Sequence, residues 1–531
     1  MKTLSLTALA AVLAPSCVIA GSQTEDEASW PVPTGSTFPS GFDITTSWGN
    51  LSPYKPSTGF DLPAGVPQGC ELSQAHVLHR HAQRYPTPYP LDGGSMLDFA
   101  YKVGNYTAKH KDGSVGKGPL EFLNHWQYAM GGDLLMVSGA TTEATSGAWF
   151  WSKYGNLLYR APPGQAAYSN VFPNGTDRPN PVFRTTSQAR ILESARWWLS
   201  GFFGNTGANS SYDLYDLVII PETDPFNNSL ASYDSCPGDE SQGDNTAEVF
   251  IPKYTALALK RLSAHLPHGF NLTSLDVYAM QNLCAYETAL FGGSTFCTLF
   301  TEEEWRAFEY AIDIQFYGNY GFGSPSGRAQ GIGYVLELAA RLQHKLIKSS
   351  DTSINYTYDD NTKQFPLDQL FYMDMSHDDI IVSVTTALGL DYFKFSDHGL
   401  PGDLYFPPAD RKFFLNKMTP FGARFISEIW TCPTSEETRP FENLTPVAYV
   451  NPDLSSTNGT TDYIRFMLND APVPLDGIKS CEGAVNGFCA VKDFLKDVPR
   501  MHEEAQYQQA CFGNYTANGQ VGNGQPPSSD N

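Results

Sequence analysis

Short strand-like runs alternate with long helical stretches along this chain, and this alternation is the feature that most restricts its fold. Strands are predicted at residues 75–79, 370–375, 423–431 and 462–468. Between them, the helical spacing of apolar residues predicts helices at 138–154, 187–203, 245–289, 302–317, 326–347 and 380–390, with Ser187 capping the second. The alternation is typical of an α/β protein, and the mostly helical middle predicts a cap over the sheet.

The N-terminus has the pattern of an export signal. Lys2 precedes the apolar residues 4–14, and Val18-Ile19-Ala20 suits cleavage, so we predict a signal peptide over residues 1–20. Residues 21–69, rich in Ser, Thr, Pro and Gly, are predicted to form an extended arm, and residues 516–531 a disordered tail. The folded domain is expected over residues 70–515, with the cap drawn roughly from residues 90–180 and 205–320.

The sequons and cysteines are consistent with export to the extracellular space, where the protein would be either free or associated with a cell wall. Eight cysteines remain once Cys17 leaves with the signal, and an even number in an exported chain predicts four disulfides whose pairing the spacing leaves open. Ten Asn-x-Ser/Thr sequons suit a glycosylated surface: Asn50, Asn105, Asn174, Asn209, Asn227, Asn271, Asn355, Asn443, Asn458 and Asn514.

The formal net charge of −22 limits the partners of this chain. An acidic surface repels nucleic acid and anionic membranes, and no run of about 20 apolar residues follows the N-terminus. We therefore expect neither a nucleic-acid partner nor a membrane span. A site for an anionic substrate must gather its few positive charges locally.

The segment Arg80-His81-Ala82-Gln83-Arg84 follows directly on a predicted strand and suits phosphoryl transfer. Guanidinium groups neutralise phosphate oxygens and hold them in a forked geometry. The same charges lower the pKa of a neighbouring imidazole, which keeps one ring nitrogen nucleophilic in acid. The alternative is a surface loop with scattered charges.

The pair His377-Asp378 follows another predicted strand, where α/β proteins commonly place ligand sites. Asp378 is a candidate proton donor for the leaving alkoxide, and His377 a candidate contact for a phosphate oxygen. The competing interpretation is a metal site built from His377 with Asp374, Asp378 and Asp379.

Arg190 falls in the first turn of a predicted helix, within the stretch that begins at Phe183-Arg184-Thr185-Thr186. A cation at a helix N-terminus opposes the helix dipole unless an anion lies nearby, which fits a phosphate site. A solvated helix arginine is the alternative.

These three elements, in this order, resemble the histidine acid phosphatases (histidine phosphatase clade 2), specifically their fungal phytase-like branch. The family pattern is Arg-His-Gly-x-Arg-x-Pro, an Arg-x-Thr-rich stretch that ends in a second arginine, and a distant His-Asp pair. The likeness covers roughly residues 70–495 and includes the segments 316–321, 331–342, 387–390 and 419–424.

The resemblance implies a phosphoglycerate-mutase-like α/β sandwich with a mostly helical cap domain, and an acid phosphatase that needs no metal or other cofactor. It implies the disulfides Cys70–Cys432, Cys236–Cys511, Cys284–Cys297 and Cys481–Cys489. His81 would be the nucleophile and Asp378 the proton donor. The phosphate-binding residues would be Arg80, Arg84, Arg190 and His377, with Arg184 and Thr87 as further site candidates.

Ala82 departs from the family pattern, which has glycine at this position. If the position required a positive φ, alanine would cost about 1 kcal/mol and shift the loop, and the chain would be a weak or inactive homologue that binds phosphate or inositol phosphate. If φ is negative, alanine would only narrow the approach of the backbone to phosphate. A metal-dependent phosphoesterase is a second alternative. A mutase is a third, but such enzymes are usually intracellular, and the export signal argues against it.

The expected partners are small phosphate monoesters, with phytate (myo-inositol hexakisphosphate) as a candidate substrate. Phytate is densely anionic, so a phytase would place cations around its pocket. The candidates by position are Lys102, Lys109, Lys111, Lys117 and Lys363. The oligomeric state is not predicted.

Overall fold

The computed structural model describes residues 41–527, except for 111–113, 173, 205–210, 239–240 and 435–440. The predicted signal peptide, residues 21–40 of the arm, Asn209 and Lys111 lie outside the described residues. The strands of the described chain are β1 (Val66–Pro67), β2 (Glu71–Arg80), β3 (Val182–Thr186), β4 (Asp216–Ile220), β5 (Phe371–Ser376), β6 (Arg424–Pro433), β7 (Leu444–Thr445), β8 (Thr460–Leu468), β9 (Ala471–Pro472) and β10 (Cys489–Ala490).

The predicted helices at 138–154, 187–203, 302–317, 326–347 and 380–390 are present, although their ends differ by a few residues, as helix ends commonly do. The predicted stretch 245–289 is divided into three helices with a break at 264–273, and the helices at 95–109 and 491–505 were not predicted. Ser187 does not cap its helix: Gln188 is the N-cap residue, and the Ser187 hydroxyl accepts a hydrogen bond from the Glu222 amide instead. The α-helices of the described chain are α1 (Ser95–Lys109), α2 (Val137–Phe150), α3 (Asn156–Leu158), α4 (Ala189–Phe203), α5 (Gln242–Tyr254), α6 (Ala256–Ser263), α7 (Ser274–Phe291), α8 (Glu302–Asn319), α9 (Gly327–Leu342), α10 (Tyr356–Asp359), α11 (Asp378–Ala387), α12 (Leu415–Met418), α13 (Val491–Ala505) and α14 (Tyr507–Phe512).

One large sheet organises the molecule, with strand order β10-β8-β6-β2-β5-β3-β4 and β9 beside β8. Strands β2, β5, β3 and β4 run parallel to one another, whereas β6, β8 and β10 add an antiparallel half. Parallel strands direct their carboxyl ends to one edge of the sheet. The loops that follow β2, β5 and β3 therefore meet at that edge.

Both faces of the sheet are covered, which explains why its central strands are nearly all buried. Along β2, Val77 enters one core and its neighbour Leu78 enters the other. Helix α2, the helical turn at Trp151–Gly155 that continues it, and helix α4 cover the first face with large side chains, among them Phe150, Trp151, Tyr154, Trp198 and Phe202. Helices α9, α11 and α13 cover the second face with mostly aliphatic ones, among them Ile332, Val335, Ile380, Val384 and Val498.

Helices α1 and α5–α8 form the helical cap, whose interior continues the second core. The predicted cap range 90–180 is wrong for residues 137–158. That segment packs on the sheet beside α4, because its aromatic residues fill the first core. The sequence periodicity shows a helix there, but it does not show which surface the helix covers.

Residues 41–69 and 516–527 contact the domain closely, unlike the predicted arm and tail. Trp48, Leu51 and Phe60 are buried in the second core. Near the C-terminus, the Val521 amide donates to the Gly323 carbonyl (2.8 Å) and Oε1 of Gln520 accepts from the Leu400 amide (2.9 Å), so backbone and side-chain hydrogen bonds hold this segment.

The four disulfides implied by the family resemblance are all present: Cys70–Cys432, Cys236–Cys511, Cys284–Cys297 and Cys481–Cys489. Cys70–Cys432 joins the start of the sheet to β6, and Cys236–Cys511 joins the cap region to the last helix. Within the described ranges, no helix combines the length and the apolar character needed to cross a membrane.

Candidate active site

Three loops converge at the carboxyl edge of the parallel strands. His81 follows β2, the pair His377-Asp378 follows β5, and Arg190 lies in the first turn of α4 after β3. The His81 amide donates to the Ser376 carbonyl (3.1 Å), which fastens the end of β2 to the end of β5. The sheet topology thus brings together residues that are up to about 300 positions apart in sequence.

Helix α2 supports the loop that carries His81. The Ser146 hydroxyl lies 2.8 Å from Nε2 of His79, and Gly139 packs directly against the backbone of Gln83. A Cβ atom at Gly139 would lie 2.3 Å from the Gln83 carbonyl oxygen, so this close approach requires glycine. The loop is therefore held from behind by a rigid helix.

The ring of His81 has a defined tautomer. Its Nδ1 lies 2.8 Å from the Ala82 carbonyl oxygen, and because that oxygen only accepts hydrogen bonds, Nδ1 carries the proton. Nε2 is then the unprotonated nitrogen. Burial, followed by the positive charges of Arg80 and Arg190, holds the pKa of His81 well below its usual value. The imidazole therefore stays neutral and nucleophilic in acid.

Each of the three arginines around His81 has a carboxylate partner. Nη2 of Arg80 lies 2.7 Å from Oδ2 of Asp378. Nη1 of Arg84 lies 3.2 Å from Oδ2 of Asp92, and Arg190 is paired with Asp133. The Nε atoms of all three guanidinium groups are buried and have no hydrogen-bond partner among the described residues: Arg80, Arg84 and Arg190.

His377 has the opposite electrostatic environment to His81, although the two ring centroids are only 5.9 Å apart. Nε2 of His377 lies 3.1 Å from Oε2 of Glu222 and 3.0 Å from the hydroxyl of Tyr233. Burial alone would lower the pKa of His377, but the Glu222 carboxylate raises it above the usual value. A cationic His377 thus faces a neutral His81.

Asp378 begins helix α11, where the helix dipole favours a carboxylate. Its Oδ2 accepts a hydrogen bond from Nδ2 of Asn50 (2.7 Å) and also meets Arg80. Burial by itself would raise the pKa of Asp378, but the charges of Arg80 and Arg84 and the hydrogen bond from Asn50 together lower it. A negative charge that neutralises Arg80 would reverse this effect.

These side chains border a cavity of about 640 Å³ between the sheet edge and the helical cap. His81, Arg84, Arg190 and His377 line it, whereas Arg80 is fully buried and lies outside the lining. Asp378 and Thr87 also line it, and the Thr87 hydroxyl donates to Oδ2 of Asp92 (2.6 Å). Four cationic or imidazole groups thus meet on one wall.

A sequence model of the histidine phosphatase superfamily (branch 2) matches residues 71–469 of this chain. The chain belongs to this family. Phytase A from Emericella nidulans is 30% identical to it over 468 residues, which are 86% of this chain and 88% of that protein. A Phytase A from Aspergillus terreus is 31% identical over 361 residues, 66% of this chain and 71% of that protein.

Solved structures agree on the fold of this histidine phosphatase. The phytase from D. castellii has a TM-score of 0.66 at 23% identity, covering 92% of this chain and 93% of that one. The apo form of multiple inositol polyphosphate phosphatase from Bifidobacterium longum has a TM-score of 0.52 at 13% identity, covering 82% and 93%. The predicted α/β fold class is confirmed.

Ala82 does not strain the loop of this histidine phosphatase. Its φ lies outside the positive region, so a side chain at this position carries no left-handed penalty. The alanine is fully buried next to the nucleophile loop. The backbone reason for expecting an inactive homologue therefore disappears.

Arg184 does not belong to the site, contrary to the prediction. It lies in the middle of β3, and its Nε is 2.6 Å from Oδ1 of Asp374 on the neighbouring strand β5. Glu337 and Asp359 complete this buried network away from the cavity. Because side chains alternate along a strand, Arg184 faces the second core while the loop after β3 turns towards the site.

The metal interpretation finds no support in the positions of its proposed ligands. Both oxygens of Asp374 are bound by arginines below the sheet edge, and Asp378 is paired with Arg80. Among the described residues no group of three or more His, Cys, Asp and Glu side chains could hold a metal ion.

The lysines that the sequence offers as phytate-binding candidates do not line the cavity. This holds for the four described ones, Lys102, Lys109, Lys117 and Lys363.

Five site residues were not predicted: Asn50, Asp92, Asp133, Glu222 and Tyr233. Asn50 was assigned as a sequon, but its side chain is 5% exposed and bonded to Asp378, so it is no glycan site. Glu222 follows β4, the next parallel strand, and that position could have signalled it. Asp133 and Tyr233 come from loops with no local signal.

Proposed function

We propose that this chain is an acid phosphatase, a phosphoric monoester hydrolase that acts through a phosphohistidine on His81. The unpaired Nε–H groups of Arg80, Arg84 and Arg190 carry the proposal. A buried donor without a partner costs about 1–3 kcal/mol, so three of them around one imidazole favour the arrival of an anion. Phosphate, with three oxygens and guanidinium-compatible geometry, fits this demand.

In the first step, Nε2 of His81 attacks phosphorus, and the bond from phosphorus to the ester oxygen breaks. The positive charges of the arginines and of His377 stabilise the negative charge that develops on the phosphoryl oxygens. The leaving alkoxide takes a proton from the carboxyl group of Asp378. In the second step, the Asp378 carboxylate takes a proton from water, which attacks the phosphohistidine and releases inorganic phosphate.

Asp378 must hold a proton for the first step, although Arg80 lowers the pKa of its carboxyl group. A phosphate monoester brings up to two negative charges to the same arginines. By competing for them, the substrate raises the pKa of Asp378 at the moment when the proton is needed. Phytate is a candidate substrate because the curated relatives bear the name Phytase A.

We also infer export from the cell. The N-terminal pattern at residues 1–20 and the four disulfides support this, because disulfides persist in oxidising compartments. N-terminal sequencing of protein recovered from culture medium is expected to begin at Gly21. A mature protein that begins at Met1 would contradict the proposal.

The decisive experiment measures phosphate release from p-nitrophenyl phosphate at about pH 5, with and without EDTA. We expect chelator-resistant release that falls at least about 10³-fold in His81→Ala, because the nucleophile is gone. His398→Ala removes an exposed histidine outside the cavity and is the matched control. It is expected to keep the wild-type rate.

The covalent intermediate gives a second readout. Rapid quenching of the reaction in alkali is expected to trap phosphate on the wild-type protein and none on His81→Ala. Release that EDTA abolishes, or release that survives His81→Ala, would contradict the phosphohistidine mechanism. A folded wild type that releases no phosphate would leave only the binding-protein alternative.

A further inference from the structure

The charges that line the cavity are distributed unevenly. All its lining cations and imidazoles belong to the set around His81 described above, and among the described lining residues there is no lysine. The rest of the lining is acidic or uncharged. Its carboxylates are Asp92, Asp133, Asp244, Glu248, Asp378 and Asp379.

The three arginines and His377 around His81 supply enough positive charge for one phosphate group. Arg80, Arg84 and Arg190 are each already paired with a carboxylate. His377 is likewise balanced by Glu222. One incoming phosphate can compete for the free donors of this set, but the set offers no second group of cations for further phosphates.

The cap wall of the cavity is formed by residues of α5, α7 and α8, and its charge is negative. Asp244 and Glu248 are four positions apart on α5, which places both on the same helix face. The cavity touches both side chains. Like charges at this distance repel, so a phosphate bound next to them would be disfavoured.

The uncharged part of the same wall suits hydroxyl groups. Asn282, Gln315 and Asn319 line it with amide groups, and Tyr278 adds a phenol. Nε2 of Gln315 donates to the Tyr278 hydroxyl (3.0 Å) and Nδ2 of Asn319 to Asp244 (3.2 Å), so an entering hydroxyl group exchanges hydrogen bonds with these groups. Amides both donate and accept hydrogen bonds, as hydroxyl groups do. The wall therefore matches a leaving group that is rich in hydroxyls and carries no negative charge.

We propose that the cavity selects singly phosphorylated polyols and sugars over densely phosphorylated substrates such as phytate. The proposal rests on the proposed function and names its substrate class. The single phosphate lies among the arginines, and the hydroxyl-bearing remainder faces the amides of α7 and α8. In phytate the additional phosphates would face Asp244 and Glu248.

The test compares kcat/KM for glucose 6-phosphate and for phytate at about pH 6, above the usual carboxyl range, because burial and the charge of Glu248 raise the pKa of Asp244. We expect wild type to favour glucose 6-phosphate by about tenfold or more. The double variant Asp244→Asn/Glu248→Gln is expected to raise kcat/KM for phytate about tenfold and to leave that for glucose 6-phosphate within about twofold. Glu303→Gln, an exposed acid of α8 outside the cavity, is the matched control and is expected to change neither value.

A binding measurement separates this proposal from the proposed function. Titration calorimetry of His81→Ala with the same two ligands needs no turnover, and tighter binding of glucose 6-phosphate than of phytate supports the proposal. Equal or tighter binding of phytate, or an unchanged substrate ratio in the double variant, overturns it. Loss of turnover on both substrates in wild type would overturn the proposed function, while the calorimetry would still decide the substrate class.

Discussion

Two buried clusters of charged residues are associated with the same parallel strands. One lies below the sheet edge, and the other lies at the edge, where it borders the cavity described above. In the cluster below the sheet edge, Arg184 uses Nε, Nη1 and Nη2 on Asp374, Asp359 and Glu337. In the cluster at the edge, Arg190 has a carboxylate partner but keeps a buried Nε–H without one. Buried charge alone therefore does not mark a functional site. An unpaired donor does not mark one either, because Nε of Arg341 in the lower cluster also lacks a partner among the described residues. The edge cluster differs in that it lines the cavity.

The strongest test exchanges one arginine in each cluster. Arg184→Met leaves Glu337 and Asp359 without their cation and Asp374 with Arg341 alone. We expect it to lower the free energy of unfolding by about 3–5 kcal/mol. Arg190→Met removes a pair whose carboxylate is largely solvated, so we expect less than about 1 kcal/mol. Thermal unfolding measures both.

Activity is expected to change in the opposite order. Arg190→Met should lower kcat/KM for p-nitrophenyl phosphate by about 10²–10³-fold, because a donor to the transferred phosphate is lost. Folded Arg184→Met should keep its activity within about threefold, since the residue lies outside the cavity. Equal loss of activity in the two variants would erase the distinction between the clusters.

Asp378→Asn tests whether the carboxyl group of Asp378 is the proton donor to the leaving group. A proton donor matters most when the leaving group is basic, so we expect kcat to fall about 10²-fold for an alkyl phosphate. The loss should be much smaller for p-nitrophenyl phosphate, whose leaving group needs little help. A steady-state comparison of the two substrates provides the measurement, and an equal loss on both would assign Asp378 a positioning role.

The pair Glu222–His377 predicts a pH window for stability. Burial opposes the charged form of Glu222, but His377 outweighs it and lowers the pKa of Glu222 from 4.5 to about 2. This contribution is present above about pH 4.5 and is lost as the pH falls towards 2. The pKa of His377 lies above 6.5, so its contribution is full below pH 6.5 and is lost as the pH rises through the folded value.

We therefore expect Glu222→Gln to destabilise the protein most between pH 4.5 and 6.5. The expected loss is about 2 kcal/mol, typical of a hydrogen bond to a charged group. Urea unfolding across the pH range measures it, with the exposed Glu482→Gln as control. If the difference in unfolding free energy between wild type and Glu222→Gln stayed constant from pH 3 to pH 8, Glu222 and His377 would not form a charged pair.

The arginine-rich edge of the site was predictable because its parts are local. Each motif lies next to the end of a strand, and the strands are parallel neighbours. The error at Arg184 was also avoidable in principle. In the runs Phe183-Arg184-Thr185 and Met373-Asp374-Met375, strand alternation places the two charged residues together on the face opposite their neighbours.

The remaining site residues depend on contacts that no local pattern encodes. Asn50 reaches Asp378 across 328 positions of sequence, and a sequon is no signal for a buried amide. The placement of α2 on the sheet instead of in the cap depends on which surface receives Phe150 and Trp151. Hydrophobic periodicity identifies such a helix but leaves its partner undetermined.

The smallest effect on activity is expected at Thr87, because its side chain is connected to the arginines through Asp92. Its hydroxyl and its amide both donate to Oδ2 of Asp92, which also meets Arg84. Thr87→Val removes the hydroxyl donor and keeps the shape, so Asp92 is expected to draw Arg84 closer and weaken its hold on phosphate. We expect kcat/KM for p-nitrophenyl phosphate to fall about threefold to fivefold, in keeping with one neutral donor of about 1 kcal/mol. Thr87→Ser, which keeps the donor, should restore most of the rate, and a loss in Thr87→Ser as large as in Thr87→Val would assign the effect to packing instead.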